Sequence, residues 1–302
     1  MVFTRKVKSK GKDYWILVHS IRIGKKVTQK TKYIGKSLPP KKRLDHLKKE
    51  FLKEIEKGKS IFLSDKDIET IENKKNNYIK EFRRLSNIEK KERLEEFIIR
   101  FTYDSSKLSG VDITLRQTSL ILREGIIPKG FKKLKTAKEI ENHKDGMIAI
   151  TKYKGTLNVG FIKKIHKILL SGIDESIAGK LRSELKRDVK IAGTPYIPPK
   201  WNQIDNELKD LFGWYKVGNR KLHPLELAAL IHLRLISIQP FVDGNSRLSR
   251  LLMNWILWKK NYPLIDIPIE DIEEYYSNLD KYQIEKKEKP FVQYIKKMYL
   301  TD

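Results

Sequence analysis

The sequence predicts a mainly α-helical protein preceded by a small antiparallel β meander. Three observations support this. Apolar residues recur at helical spacing from residue 41 onward, β-type runs are confined to residues 3–36, and two segments, 224–238 and 247–259, are apolar almost all round.

The elements follow in order. Tyr14-Trp15-Ile16-Leu17-Val18 and the run 27–34 read as strands, separated by turn chemistry at Ser9-Lys10-Gly11-Lys12-Asp13 and Gly24-Lys25. Pro39-Pro40 closes the meander, and Leu44, Leu47, Phe51 and Ile55 then mark an amphipathic helix within 41–59. Further helices are predicted at 65–83, 87–103, 114–123, 136–152, 159–170, 202–215, 224–238, 247–259, 270–279 and 289–299. Between 178 and 199, Gly179, Gly193, Pro195, Pro198 and Pro199 punctuate Asp188-Val189-Lys190-Ile191, which predicts a loop or short β-hairpin. The organisation expected is a basic meander (1–40), a helical linker or N-terminal helices (41–99) and a main helical domain (100–302).

Composition narrows the classes. The 302 residues, 39% hydrophobic, suffice for a sizeable core. There is no cysteine, which excludes disulfides and thiolate metal sites. Apolar runs such as 225–238 are broken by Glu226, His232 and Arg234, and Met1 to Lys6 lacks the apolar stretch of a signal peptide. A soluble cytoplasmic protein with no membrane partner is expected. The formal charge of +26 reflects 64 basic against 38 acidic residues, much of it alternating along solvated helix faces. Residues 1–40 differ: eleven Lys and Arg face the single acid Asp13. Tyr14, Trp15, Arg22, Lys25, Lys26 and Tyr33 there mix rings with positive charge, a pattern suited to nucleic acid.

The chemistry concentrates in the polar loop between the two apolar helices. A helix N-terminus presents unpaired N–H groups and partial positive charge, so a loop entering one is an anion site. Gly244 permits close backbone approach and Asn245 caps or turns the chain. Arg247 and Arg250, three apart, share a helix face able to grip phosphate oxygens, and Asp243 supplies the hard oxygen that magnesium prefers beside phosphates.

The stretch Gln239-Pro240-Phe241-Val242-Asp243-Gly244-Asn245-Ser246-Arg247 resembles the Fic motif, His-Pro-Phe-x-Asp-Gly-Asn-Gly-Arg, and Arg250 matches the second arginine often found after it. The likeness extends to 162–170, to Gly179-Lys180-Leu181-Arg182 and to the helices after Ile267-Pro268. It covers about residue 100 to the end, and the basic meander resembles one carried by some archaeal Fic proteins. The resemblance implies a Fic-type helical core with a short β-hairpin flap. It also implies an adenylyltransferase-like protein that binds magnesium and ATP and transfers AMP to a hydroxyl of a target protein. Carried over, Asp243 would hold magnesium; Gly244, Asn245, Ser246 and Arg247 would bind the α- and β-phosphates, and Arg250 the γ-phosphate. Val189, Lys190, Ile191 and Ala192 would form the flap that docks a target's extended backbone.

Two departures change what this implies. Gln239 occupies the position of the family's catalytic histidine and offers no basic nitrogen, so general-base work is lost. Ser109, in Ser105-Ser106-Lys107-Leu108-Ser109-Gly110, stands where many Fic proteins carry an inhibitory glutamate. The expectation is a nucleotide-binding pseudoenzyme without its usual brake. The alternatives are a still-active but altered transferase and a nucleic-acid-associated module using residues 1–40. A homodimer is the oligomer expected. His232, His223 and His166 read as structural residues, and neither His223 nor His166 is placed by the sequence to reach the loop.

Overall fold

The computed structural model describes residues 2–9, 11–23, 26–56, 60–128 and 134–301. They form two compact units, residues 1–59 and 60–302. In the first, strands β1 (Val2–Ser9), β2 (Lys12–Ile23) and β3 (Lys26–Gly35) make an antiparallel sheet of order β1-β2-β3. Gly11, at φ +76, supplies the left-handed residue that the first tight turn needs. Helix α1 (Lys41–Glu56) follows Pro40, and its Leu44 and Phe51 bury Val2 and Leu17 of the sheet. Leu44, Leu47 and Phe51 of the predicted spacing thus find their surface on the meander, while the side chain of Ile55 lies outside the described residues.

The second unit is helical. Serine and threonine caps set the starts predicted from the sequence. Ser64 and Asp67 box the N-terminus of α2 (Asp65–Arg84), Ser86 and Glu89 that of α3 (Asn87–Lys107), and Thr114 and Gln117 that of α4 (Leu115–Ser119). The single helix expected at 114–123 is α4 followed by a π-helical turn, Leu120–Glu124, which Gly125 ends at φ +66. Then come α5 (Leu134–Lys152), α6 (Val159–Leu170), the short α7 (Arg182–Leu185), α8 (Ile204–Gly218), α9 (Pro224–Ile238), α10 (Asn245–Lys259), α11 (Ile272–Glu285) and α12 (Lys289–Thr301). Helix α7 was not legible, because four residues carry no periodicity. The hairpin expected around 189–192 is a loop: no residue of 187–199 pairs as a strand. Pro195, Pro198 and Pro199 remove the donors a second strand would need.

Helices α9 and α10 form the centre. Every α9 residue except Pro224 and Arg234 is buried, as the all-round apolar pattern required. Three polar side chains share that interior. Ser237 returns its hydroxyl to the Leu233 carbonyl, His232 meets the Tyr275 hydroxyl, and Glu226 is held by the chain before α2. Its carboxylate accepts from the Ser60 hydroxyl and from the N–H groups of Ile61 and Phe62 at 3.0 and 3.2 Å. Burial pushes its pKa up despite these donors, which marks how costly the position is. Glu226→Ala would leave those donors without their acceptor, and should lower unfolding free energy by about 2–4 kcal/mol, read by urea denaturation. An unchanged midpoint would show that water replaces the carboxylate freely.

Candidate functional site

The site is assembled where α9 ends and α10 begins. Gln239 leaves the helix in the left-handed conformation, φ 51, while its N–H still bonds the Leu235 carbonyl. Six residues later α10 starts at Asn245, with Gly244 as its left-handed cap at φ +76. A Cβ on Gly244 would lie 3.0 Å from Leu170 Cδ2 and 3.3 Å from His166 Nε2, so both conformation and space call for glycine.

Three side chains hold the loop. Asn245 Oδ1 accepts the Phe241 N–H at 3.0 Å, and its Nδ2 donates to the Phe241 carbonyl at 2.8 Å and to Gln239 Oε1 at 2.7 Å. His166 stacks on Phe241 with centroids 3.7 Å apart, and its Nε2 donates to the Asp243 carbonyl at 2.9 Å. Its Nδ1 accepts the Gly179 N–H at 2.9 Å, which fixes the neutral tautomer. His166 therefore reaches the loop, contrary to the expectation from sequence. Helix α6 carries it there across a separation that no local spacing encodes. Arg182, fully buried, donates to the carbonyls of Gln239, Ile238 and Pro199 at 2.5, 3.2 and 2.8 Å.

A cavity of about 450 Å³ opens over this loop, lined by Ser109, Glu139, Gln239, the run Asp243 to Arg247, and Tyr276 among others. The first backbone bond of α10 is Leu248 N–H to the Gly244 carbonyl, so the N–H groups of Asn245, Ser246 and Arg247 precede the helical ladder. Arg247 lies between two carboxylates, Asp243 Oδ2 at 3.5 Å and Glu139 Oε1 at 3.8 Å. Asp243 is exposed, and its Oδ1 accepts the Gly244 N–H at 2.6 Å. Glu139 was missed by sequence reasoning, for it sits among alternating Lys and Glu on α5 and nothing local sets it apart. A larger cavity of about 680 Å³, lined by Tyr78, Phe82, Phe97 and Trp258, lies elsewhere and has none of the loop residues in its wall.

Of the residues singled out from sequence, Gln239, Asp243, Gly244, Asn245, Ser246 and Arg247 share this cavity. Arg250 does not line it. Its guanidinium is buried behind the wall, donating from Nε to Ser105 Oγ at 2.9 Å and from Nη2 to the Ser105 carbonyl at 2.7 Å and Ser109 Oγ at 2.8 Å. Arg250 Nη1 has no partner among the described residues. Ser109 and Arg250 thus meet through a hydrogen bond from the guanidinium to a neutral hydroxyl. Val189 to Ala192 lie outside the cavity wall.

Residues 156–257 match the Fic/DOC family model. The chain carries a Fic/DOC family domain. The protein adenylyltransferase Fic of Drosophila melanogaster is 32% identical over 211 residues, covering 67% of this chain and 40% of that protein. The protein adenylyltransferase fic-1 of Caenorhabditis elegans is 27% identical over 216 residues, covering 68% and 40%. The chain thus spans about two fifths of the length of these curated relatives. Among solved structures, a Fic domain containing signaling protein from Bacteroides thetaiotaomicron superposes with a TM-score of 0.69 at 28% identity, covering 78% of this chain and 93% of that one. Fic-1 from C. elegans, at TM-score 0.66 and 23% identity, covers 86% of this chain and 73% of that one, and shares the fold. The Fic domain accounts for the placement of the loop between two central helices.

Three buried histidines, His143, His166 and His232, are held neutral. Burial pulls His166 down to about 4, with Arg247 adding to the effect, and pulls His143 and His232 well below their ordinary value. The unfolded chain binds protons near pH 6.5 that the folded chain refuses. Stability should be full above about pH 6.5 and decline as the pH falls toward 4. In that window His166→Gln should reduce the slope of unfolding free energy by up to about 1.4 kcal/mol per pH unit, measured by urea denaturation across pH. Equal slopes for variant and parent would show that His166 titrates in the fold as it does in the open chain.

Proposed function

We propose that the chain binds a magnesium nucleotide with its phosphates on the N-terminus of α10, and that AMP transfer is attenuated because residue 239 cannot act as a base. The observation that carries this reading is the state of Gln239. Its Oε1 accepts from Asn245 in the cavity wall, and its amide has no basic nitrogen to take a proton. The phosphate-binding parts support retention of a ligand: free helical N–H groups, a glycine at the close approach and Arg247 in the wall.

Magnesium fits the residues present. The Asp243 carboxylate is exposed beside the cavity, and no group of three or more His, Cys, Asp or Glu forms a metal site among the described residues. The ion would therefore arrive with phosphate oxygens as further ligands, which is how magnesium is ordinarily held. It would neutralise phosphate charge; the chain's own residues position the phosphate and exclude alternatives. Loop residues Val189 to Ala192 make no backbone hydrogen bonds to other described residues, which leaves an edge for strand addition by a target protein.

Arg250 would reach a terminal phosphate only after exchanging its bond to Ser109. The hydroxyl makes that exchange easier than a carboxylate would, so the brake is weak. A second reading, an altered but active transferase, is favoured by Glu139, a carboxylate in the same cavity wall that is able to take the base's place.

Calorimetry should show magnesium-dependent ATP binding that Arg247→Ala weakens by roughly 10- to 100-fold, the value of a charge-assisted contact. Absence of any nucleotide binding would end the proposal. With labelled ATP, Gln239→His should raise self- or target labelling by about 10² to 10⁴, and adding Ser109→Glu should lower it again. Wild-type labelling that Glu139→Gln abolishes would instead establish the second reading.

A further inference from the structure

The N-terminal sheet has one covered face and one open face, and they differ in chemistry. Register sets which residues share a face. Phe3 opposes Val18, Arg5 opposes Ile16, and Val7 opposes Tyr14 across β1 and β2, while Tyr33 opposes Ile16 and Gln29 opposes Ser20 across β2 and β3. Leu17 alternates to the other side with Val2, and there α1 covers both. Trp15 belongs to that covered side, so it does not join Tyr14 and Tyr33 as the sequence had suggested. Lys25 lies outside the described residues, as do the side chains of Arg22 and Lys26.

On the open side, Phe3 is 38% and Tyr33 58% exposed, with Val18 buried among them. Tyr14 and Tyr33 stand edge to face, 5.8 Å apart. The Arg5 guanidinium lies 5.5 Å from the Phe3 ring and donates to Gln29 Oε1, whose amide in turn donates to Ser20. The only acid of residues 1–40, Asp13, pairs with Lys6 at 2.8 Å and alternates to the covered side. The open face therefore offers three rings and an arginine with no carboxylate from residues 1–40 among them, while Lys6, Lys8 and Lys32 alternate to the other side.

We propose that this face binds single-stranded nucleic acid, with Phe3, Tyr14 and Tyr33 stacking bases and Arg5 meeting the phosphate backbone. Flat rings on an open sheet accept any unpaired base, and the missing acid admits a polyanion. A duplex hides its base faces and gains nothing from the rings. A membrane would answer the charge but not the ordered rings.

Fluorescence anisotropy of the full chain with a labelled single strand, as DNA and as RNA, and with a duplex of equal length at two salt concentrations, tests this. Tighter binding of the single strand, a steep loss with salt, and a loss of about five-fold or more in Tyr33→Ala that Tyr33→Phe restores would support it. Binding of either polymer supports the proposal and names the source. Equal affinity for duplex and single strand, equal binding by the two Tyr33 variants, or no binding at all would overturn it. So would retention on anionic phosphatidylserine vesicles that the oligonucleotide fails to displace. Phe3→Ala serves as the second variant should Tyr33→Ala lower the melting temperature.

Discussion

The Fic domain depends on a constraint at the end of α9. An apolar helix must stop, reverse and deliver the chain to the N-terminus of a second apolar helix within six residues, at the edge of the core. Carbonyls at a helix C-terminus carry partial negative charge and no internal partner. Arg182 answers that demand. Its Nε donates to the Gln239 carbonyl, its Nη2 to both the Ile238 and Pro199 carbonyls, and its own backbone N–H bonds the Pro240 carbonyl at 2.8 Å. Asp188, 3.6 Å away, supplies a nearby opposite charge. One buried cation thus fixes the turn beneath the cavity and the base of the loop proposed to dock a target.

The other two arginines divide the labour differently. Arg247 faces the cavity between two carboxylates, Asp243 and Glu139, with which a phosphate bound as proposed would compete. Arg250 is turned to neutral serine groups at the end of α3, where the helix carbonyls favour a cation. Around them His143 and His232 stay neutral, because burial and the positive charge of Arg250 both oppose protonation. Arg182, Arg247 and Arg250 thus carry buried positive charge, which a low dielectric tolerates where hydrogen bonds and carboxylates offset it.

Much of this was legible in the sequence and some was not, for identifiable reasons. Helix positions followed from periodicity; the caps at Ser64, Ser86 and Thr114, local signals that were not used, sharpen their starts. Gly244 and Asn245 were legible because a turn into a helix demands their types. The hairpin reading failed because Val189-Lys190-Ile191 has strand character while its proline-rich continuation cannot pair. Glu139 and the His166 contact were invisible, since they depend on α5 and α6 arriving beside a distant loop. Arg182 was noticed only as part of a motif; its work is with carbonyls, which every residue has and no pattern announces.

The same anatomy explains how position 239 can change its chemistry while the loop keeps its shape. Residue 239 serves the fold mainly through its backbone. Its N–H closes the last turn of α9, its carbonyl receives Arg182, and its left-handed conformation is one that histidine also visits. The side chain adds one bond to Asn245, which a glutamine makes with its oxygen. Gly244, Asn245 and His166 have no such freedom, because space, amide geometry and a paired imidazole are the structure itself. A change of side chain at 239 therefore need not dismantle the loop, because it is the backbone role that preserves its shape.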